Sequence, residues 1–459
     1  MSIKPRGDLQ RRTLPRSHPG VVIIAGFLAL SAIGGALLAL PLSQTDSASM
    51  TAGDALFTSV SAVTVTGLVV HDTATAWTTF GQVVILVLIQ IGGLGIMTLA
   101  GFMGLVVSRR MSVRAGMLAG TEIGLTHLGP LRPLVRSLVK FVFISEAVLT
   151  VALASRFLIG TSGATEGEIA RPIFDGLFHA ISAFNNAGFS TIGGGLESYV
   201  DDWFVSLVIA GGFIVGGLGF PVIFELARQW QAPRIWSLHT KVSLTFTVML
   251  LVGGTAMIAL LEWGNEQTLG ALDPVDRLLA AFFQSATART AGFNTLSIDS
   301  LHPSTWLVLV LLMVIGANSA STGGGIKTTT VAVALQAAYG QLRGDRDVTI
   351  FGRRIPTRIQ QQALALVVVA LGTVGTAAFL LAVVEPDIPA VELLFEAASA
   401  FGTVGLSTSV TPSLGTLGRF IVIVLMFVGR VGPITFGTAF LFRAETQRFR
   451  FPEDDLMVG

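Results

Sequence analysis

The stretch FTSVSAVTVTGL, from Phe57 to Leu68, occurs four times in related form, and this repetition decides the fold. The other copies, which align with it without gaps, are FHAISAFNNAGF from Phe178, FFQSATARTAGF from Phe282 and FEAASAFGTVGL from Phe395. Each copy begins with Phe and has Gly ten positions later, at Gly67, Gly188, Gly292 and Gly405. Because only 30 of the 459 residues are Phe, four matches at one position indicate internal repeats.

The chain around these copies has the composition of an integral membrane protein. Hydrophobic residues make up 52% of it and charged residues 12%, and its mean hydropathy is +0.73. In soluble domains about 25% of the residues are charged. Several apolar runs, such as Val21–Leu40 and Ala363–Val384, reach the roughly 20 residues that a helix needs to cross a bilayer. The first run is too long for a cleaved signal peptide, and similar runs recur to the end of the chain.

The distribution of Lys and Arg predicts the orientation of the chain in the membrane. Of the 29 basic residues, 23 lie in the N-terminus and in 109–140, 228–241, 327–358 and 443–450. The alternate connections carry mostly Asp and Glu. The positive-inside rule therefore predicts a multi-pass protein with both termini in the cytoplasm.

Each copy has the same surroundings in the chain. A polar stretch follows it, and then an apolar run that is interrupted by a cluster of small residues. The clusters are Gly92–Gly95, Gly216–Gly219, Gly323–Gly325 and Gly429–Gly432. The predicted unit is an outer helix, a short re-entrant pore helix with a loop, and an inner helix. The fold class is thus an all-α integral membrane protein, with eight spanning helices and four such repeats placed pseudo-fourfold around one pore.

A pore explains why a membrane chain would contain such loops. Irregular backbone at membrane depth is tolerated only where protein buries it or where it lines a water-filled cavity. Four loops around an axis would present carbonyl groups that replace the hydration shell of a cation, and Gly permits the backbone conformations this needs. Each pore helix would direct the negative end of its dipole towards the ion. The alternative, four tight turns in helical hairpins, does not explain a fixed Phe ten residues before each Gly.

The predicted boundaries follow from the repeats. They are 1–20 for a cytoplasmic N-terminus, 21–107 for repeat 1, 108–228 for repeat 2 with its preceding linker, 229–342 for repeat 3, 343–442 for repeat 4 with its preceding linker, and 443–459 for a cytoplasmic tail.

From about Val21 to Phe442 the chain resembles the Trk/Ktr/HKT superfamily of potassium transporters, and within it the KtrB type. The resemblance rests on five motifs, which are VTVTGL at Val63–Leu68, NNAGFST at Asn185–Thr191, RTAGFNT at Arg289–Thr295, STGGGIKT at Ser321–Thr328 and GRVGP at Gly429–Pro433. It implies channel-like potassium uptake across the bacterial plasma (inner) membrane, often stimulated by sodium. It also implies a homodimer on a cytosolic ring of nucleotide-binding KtrA-type subunits, so that nucleotide acts only through this partner. No nucleic-acid partner is expected.

The candidate potassium filter comprises the last residues of each copy, whose backbone carbonyls would do most of the coordination. These residues are Thr64, Val65, Thr66, Gly67, Asn185, Asn186, Ala187, Gly188, Arg289, Thr290, Ala291, Gly292, Gly402, Thr403, Val404 and Gly405. Gly at all four shared positions fits potassium, whereas in the plant members of the superfamily Ser at the first position goes with sodium preference. Arg289 would repel cations if it faced the pore, so we expect it to point behind its loop and to anchor the loop through hydrogen bonds or an acidic partner.

The third inner helix contains too many small and polar residues for an ordinary span. In proteins of the KtrB type the matching stretch, here 316–327, is an intramembrane loop that obstructs the pore and moves on gating. The candidate gate residues are Asn318, Ser319, Ser321, Thr322, Gly323, Gly324, Gly325 and Lys327, with Arg430 as an electrostatic barrier that holds the closed loop. The alternatives are a kinked helix that packs closely through its small residues and an ion pair of Arg430 elsewhere in the bundle. The side chain of Lys327 is long enough to extend to the cytoplasmic interface, and Glu146 receives no role.

Three other functions compete with a potassium channel. An intramembrane enzyme is disfavoured, because the six His residues do not pair at metal-ligand spacing and neither a GxSxG nor a phosphate-binding motif is present. An alternating-access carrier would require inverted repeats, whereas these repeats all enter from one side. A TrkH- or HKT-like subunit with another regulator, or with sodium as its main ion, stays open.

Overall fold

The protein is described by a computed structural model that covers residues 19–45, 50–95, 131–159, 166–345 and 347–432. The predicted N-terminal segment before residue 19, all of the linker 108–130 and the tail 443–459 lie outside these residues, as do 96–107 of repeat 1 and 433–442 of repeat 4. The described part of the chain is mostly helical, as the apolar runs of the sequence predict.

The helices fall into four consecutive groups along the chain. Group 1 contains α1 Pro19–Leu38, α2 Ala52–Val63, α3 Thr73–Ala76 and α4 Thr79–Gly95. Group 2 contains α5 Leu131–Ile159, α6 Glu166–Phe184, α7 Trp203–Leu218 and α8 Phe220–Gln229. Group 3 contains α9 Leu238–Glu262, α10 Pro274–Thr287, α11 Pro303–Val314 and α12 Thr328–Arg343. Group 4 contains α13 Thr357–Val384, α14 Ala390–Gly402 and α15 Thr416–Val431.

The first helix of each group is long and apolar, and it packs against the short helix that follows it. In α5, α9 and α13 the apolar stretch has 25 to 28 residues, which is enough to cross a membrane. The pair α7 and α8 forms a fourth candidate span that is bent by 101° at Gly219. The described apolar stretches of α1, α4 and α11 are shorter. By length and composition, the described residues therefore contain three or four spans rather than the expected eight.

The short helices α2, α6, α10 and α14 are enclosed by the others. Their last turns are buried, and the shared Phe57, Phe178 and Phe395 are fully inaccessible. In the third copy Phe282 is only half-buried, and the adjacent Phe283 occupies the core instead, with its ring 5.7 Å from that of Phe213. The shared Phe thus anchors its helix in three of the four copies.

Polar contacts join neighbouring groups where the short helices begin. Trp203 Nε1 donates to Asp276 at 2.7 Å between groups 2 and 3, and Ser409 donates to Asp299 at 2.6 Å between groups 3 and 4. Arg419 of α15 pairs with Asp54 of α2, so the last group is tied to the first. This contact closes the bundle.

A small hairpin that the sequence analysis did not predict lies between groups 3 and 4. Its strands, β1 Thr349–Ile350 and β2 Arg353–Arg354, pair antiparallel. Val348 and Ile355, which flank the strands, are buried against Ala337 of α12. Part of the linker 343–358 is therefore folded onto the end of α12.

Candidate functional site

The four predicted filter segments share an unusual backbone conformation. The residue two positions before each Gly has a positive φ, at Val65 (55°), Asn186 (61°), Thr290 (76°) and Thr403 (50°). Each shared Gly also has a positive φ, between 69° and 96°. A positive φ is a genuine outlier for a β-branched residue such as Val or Thr. Such strain persists only where the surroundings enforce it, and it concentrates at functional sites.

The four glycines face one another's loops in cyclic order. A Cβ atom on Gly67 would lie 2.4 Å from the carbonyl oxygen of Ala187, and one on Gly188 would lie 2.9 Å from that of Ala291. A Cβ atom on Gly292 would lie 2.1 Å from the carbonyl oxygen of Val404, and one on Gly405 would lie 2.4 Å from that of Thr66. At each shared Gly the loop therefore lies against the backbone of the next loop, and the fourth returns to the first. Any side chain at these positions would push a carbonyl group out of place.

Hydroxyl groups on the short helices hold the loops. Ser61 accepts a hydrogen bond from Gly67 N at 3.0 Å, and Ser399 accepts one from Gly405 N at 3.1 Å. In the other two copies the hydroxyls of Ser182 and Thr287 donate to the carbonyl after the Gly, at 2.8 and 2.7 Å. Sequence reasoning missed these residues, although Ser at the fifth position of three copies was a readable signal.

A second contact in two copies joins the short helix to the chain just beyond the Gly. His179 Nε2 lies 2.9 Å from Ser190 Oγ, and the Ser407 hydroxyl donates to Glu396 at 2.8 Å. Thr411 also donates to Glu396, which is fully buried. His179 and Glu396 both directly follow the shared Phe. The same position therefore bonds to a Ser beyond the Gly in both copies, through an imidazole in one and a carboxyl group in the other.

The side chain of Arg289 lies among residues of α7 and α9. It is 8% exposed and lines a cavity of about 20 Å³ together with Thr247, Gly217 and Asn318. Within the described residues no carboxylate pairs with it, so the expected acidic partner is not found there. Its Nε and the Oδ1 atom of Asn318 both lack a hydrogen-bond partner among the described residues. The two groups line the same cavity, which is large enough for one bridging water.

The predicted break in the third inner helix is a closed loop. The helix α11 ends at Val314 and α12 starts at Thr328, and a backbone bridge between Ile315 and Ile326 forms the neck. The loop thus begins at Ile315, one residue before the predicted range 316–327. A kinked continuous helix does not describe this segment.

The tip of this loop, Thr322–Gly324, touches three of the four filter segments. The Thr322 hydroxyl donates to Asn186 Oδ1 at 2.8 Å. A Cβ on Gly323 would lie 2.1 Å from Thr290 Oγ1, and one on Gly324 would lie 2.3 Å from Thr403 Oγ1. The three contacted residues are those with positive φ in copies 2, 3 and 4. The tip therefore lies directly against the ring of loops.

Two cationic side chains hold the loop. Arg430 donates to the carbonyl oxygen of Thr322 and, at 3.3 Å, to that of Gly92. Lys327 Nζ donates to the Gly323 carbonyl oxygen at 2.6 Å, so it folds back onto the loop rather than extending to the cytoplasmic interface. No ion pair of Arg430 is present among the described residues, which disfavours the alternative of a structural salt bridge.

The remaining gate candidates lie on the flanks of the loop rather than at its tip. Asn318 donates to Thr247 Oγ1 at 3.0 Å, the Ser321 hydroxyl donates to the Asn318 carbonyl at 2.6 Å, and Ser319 lies 3.0 Å from Thr329. Gly325 has a φ of 67° next to the neck. These contacts shape the loop, whereas its tip meets the filter segments.

The ring can bind a cation only through backbone oxygens and hydroxyls. In the described part of the chain no three His, Cys, Asp or Glu side chains are placed to hold a metal ion together. The four short helices end at the ring, so the partial negative charge of each C-terminus is directed to it. Oxygen dipoles without carboxylates suit a weakly hydrated monovalent cation better than a divalent one.

Comparison with known proteins agrees with this geometry. The model of the TrkH family, described as a cation transport protein, matches residues 10–449. The chain is 43% identical to the Ktr system potassium uptake protein B of Bacillus subtilis over 97% of both chains. It is 34% identical to the potassium/sodium uptake protein NtpJ of Enterococcus hirae, covering 98% of this chain and 99% of that one. The crystal structure of the potassium transporter TrkH from Vibrio parahaemolyticus has the same fold, with a TM-score of 0.72 at 20% identity, over 93% of this chain and 85% of that one.

The family match covers nearly the whole chain and includes all four filter segments and the loop 315–327. The apolar helices and this match identify a multi-pass membrane protein. The chain belongs to the TrkH family of cation transport proteins.

Proposed function

We propose that this protein is the potassium-translocating membrane subunit of a Ktr-type uptake system, and that ions pass through the ring of four loops. The observation that carries the proposal is the cyclic contact of the four glycines, with a left-handed residue two positions before each. A single closed ring of backbone is the arrangement that a carbonyl filter requires. In this proposal the four helix groups are pseudo-fourfold repeats with the boundaries 21–107, 108–228, 229–342 and 343–442.

Potassium is the favoured ion for two reasons. The relatives with 43% and 40% identity, from Bacillus subtilis and Vibrio alginolyticus, are both named potassium uptake protein B of a Ktr system. All four shared positions are Gly, so no side chain displaces the carbonyls that would replace the hydration shell. Sodium stimulation of uptake belongs to the same proposal.

The loop 315–327 is the gate in this proposal. Its tip lies against three filter segments. Arg430 links the Thr322 carbonyl of the tip to the Gly92 carbonyl of α4, and Lys327 closes the loop internally by donating to the Gly323 carbonyl. Two positive charges beside the path would raise the barrier for a cation. Deletion of 321–325 should therefore raise ion flux through the subunit in the absence of any partner. Unaltered flux in a folded deletion variant would remove the gate from the proposal.

A cytosolic regulatory partner, a ring of KtrA-type subunits, forms part of the proposal, as does a homodimer of this chain. Relatives are named as members of a Ktr system, which implies more than one component. With both termini cytoplasmic, Trp230, Ile235, Leu342 and Phe351 face the cytoplasm, and they are 56% to 87% exposed. Large apolar side chains exposed to water typically mark a protein interface. Nucleotide would act through this partner.

Uptake by proteoliposomes tests the proposal. The purified protein, alone and with its ring partner, should take up potassium in a saturable manner and prefer it to sodium. Equal uptake of both ions, or no uptake even with the partner, would refute potassium translocation.

One second candidate is a transporter with sodium as its main ion or with a different regulator. It is favoured by the 34% identity to NtpJ, a protein named for potassium and sodium uptake. The same flux experiment separates the two, because the second candidate requires sodium uptake to equal or exceed that of potassium.

A further inference from the structure

Glu146 is a buried acid in the membrane part of the bundle that the proposed function does not use. It lies near the middle of the apolar stretch Val135–Ile159 of α5 and is 3% exposed. A carboxyl group at this depth is costly, and such residues are usually functional. The contacts of Glu146 therefore need an explanation.

Glu146 is one corner of a closed triangle of hydrogen bonds. Asn185 Nδ2 donates to Glu146 Oε1 at 2.9 Å and to Gln90 Oε1 at 3.2 Å. Gln90 Nε2 in turn donates to Glu146 Oε2 at 3.2 Å. The triangle joins α4, α5 and the second filter segment, and thus crosses from group 1 to group 2. We call these three side chains the carboxyl–amide triangle.

Both carboxyl oxygens of Glu146 accept from amide N–H groups. Those N–H groups carry partial positive charge and occupy the faces that a cation would need. Direct ion binding by Glu146 is therefore disfavoured, and its contacts point to a positioning role.

The orientation of Asn185 depends on these acceptors. Its Oδ1 atom has no hydrogen-bond donor among the described residues, so the amide is held only through Nδ2. Gly93 confines it further, because a Cβ on this glycine would lie 2.0 Å from Asn185 Oδ1. Asn185 directly precedes Asn186, which has a φ of 61° and contacts Thr290 at 3.3 Å. A change at Glu146 would thus move the second loop and, through Asn186, the third.

The equivalent positions in the other copies lack such an anchor. Thr64 bonds back to Val60 of its own helix at 2.7 Å, Gly402 has no side chain, and Arg289 faces its cavity. In the described residues, only the second filter segment is fixed at this position by a carboxyl group from another helix.

We propose that Glu146 is a positioning residue that fixes the second filter loop through Asn185, and that it thereby helps determine discrimination between potassium and sodium. This inference rests on the proposed function, since it assumes that the loops form the filter.

The experiment measures sodium competition against potassium uptake in proteoliposomes, together with the melting temperature of each variant. Glu146→Ala should lower potassium-over-sodium preference by about tenfold, the effect of losing one strong hydrogen bond in the filter support. Glu146→Gln should keep most of the preference, because its amide oxygen still accepts from Asn185 and its amide nitrogen can donate to a reoriented Gln90. If Glu146→Ala does not fold, Gln90→Ala tests the same triangle with an expected loss of about threefold.

A matched control separates positioning from general stability. Glu262 is also fully buried and accepts four hydrogen bonds, from Thr305, Asn265, Thr268 and the backbone of His302, but it ties the end of α9 to the start of α11. Glu262→Ala should lower the melting temperature without altering ion preference. In a double variant, Asn185→Ala should abolish any further effect of Glu146→Ala.

Wild-type preference in a folded Glu146→Ala or Gln90→Ala variant would overturn the inference, as would an equal loss of preference in Glu262→Ala. Additive effects of Glu146→Ala and Asn185→Ala would do the same. Failure of the proposed function is recognised separately, because wild-type protein would then show no potassium preference at all or Gly67→Ser would leave that preference unchanged.

Discussion

Serine placed at each of the four shared glycines in turn should damage ion preference in an order that the structure sets. A non-glycine residue at these φ values costs about 1–3 kcal/mol in backbone strain. The added Cβ also meets a carbonyl oxygen of the next loop, at 2.1 Å for Gly292, 2.4 Å for Gly67 and Gly405, and 2.9 Å for Gly188. An ordinary contact begins near 3.4 Å, so the opposing carbonyl must move by about 1.3 Å at Gly292 and by about 0.5 Å at Gly188.

These displacements translate into different losses of preference. Loss of about 1.4 kcal/mol of potassium-specific binding reduces the preference tenfold. We expect a loss of at least about tenfold for Gly292→Ser, slightly less for Gly67→Ser and Gly405→Ser, and about threefold for Gly188→Ser. The assay is sodium competition against potassium uptake in proteoliposomes, with melting temperatures recorded in parallel.

Gly253→Ser is the matched control. Gly253 lies in α9 with no heavy atom within 4 Å of an added Cβ, so its substitution should leave ion preference unchanged. A loss at Gly188→Ser as large as that at Gly292→Ser would refute the reasoning from carbonyl displacement. A comparable loss at Gly253→Ser would refute the assignment of these effects to the filter.

Three further predictions concern the proposed gate, the pair of Asp54 and Arg419, and the contact between Ser407 and Glu396. Arg430→Gln removes the contacts with Thr322 and Gly92, so basal potassium flux of the subunit alone should rise. Arg156→Gln, near the end of α5 where Arg156 pairs with Asp202, should not change that flux. Burial raises the pKa of the Asp54 carboxyl, but hydrogen bonds from Thr51 and His71 and the charge of Arg419 outweigh this and hold the pKa below its usual value. The ionised Asp54 carboxylate therefore stabilises the fold at neutral pH, and this stabilisation is lost as the pH falls below about 4. The melting temperature of Asp54→Asn should consequently change less on acidification than that of the wild type. Ser407→Ala should lower the free energy of unfolding by about 1–3 kcal/mol, measured as a lower melting temperature, because buried Glu396 loses a hydrogen-bond donor. Replacement of the exposed Ser413 by Ala should change the melting temperature little, and equal melting temperatures for the two variants would contradict the role of Ser407.

The sequence predicted the features that recur in all four copies. The aligned copies located all four short helices and the segments that follow them, because the same Phe and Gly recur at one spacing. They also located the interruption near Gly323, since an apolar helix does not accommodate that many polar residues. The break between α11 and α12 begins at Ile315, one residue before the predicted range 316–327, and the bridge from Ile315 to Ile326 that closes it depends on spatial proximity.

Other features depend on packing that no sequence pattern carries. Adjacent aromatics such as Phe282 and Phe283 are indistinguishable until one of them is buried. Lys327 is long enough to reach either the interface or the Gly323 carbonyl, and only the folded loop decides between them. The strands β1 and β2 have two residues each, too short for any periodic signal.

The contact between Asp54 and Arg419 also has a consequence for biosynthesis. The two residues are 365 positions apart, so the ribosome makes Asp54 roughly 20–70 s before its partner. During this interval the first short helix has only local support for this carboxylate, from its own cap residue Thr51 and from His71. The pair that ties the last helix group to the first cannot form until Arg419 of α15 has been made. A chain released before residue 419 would therefore lack this contact between the last helix group and the first.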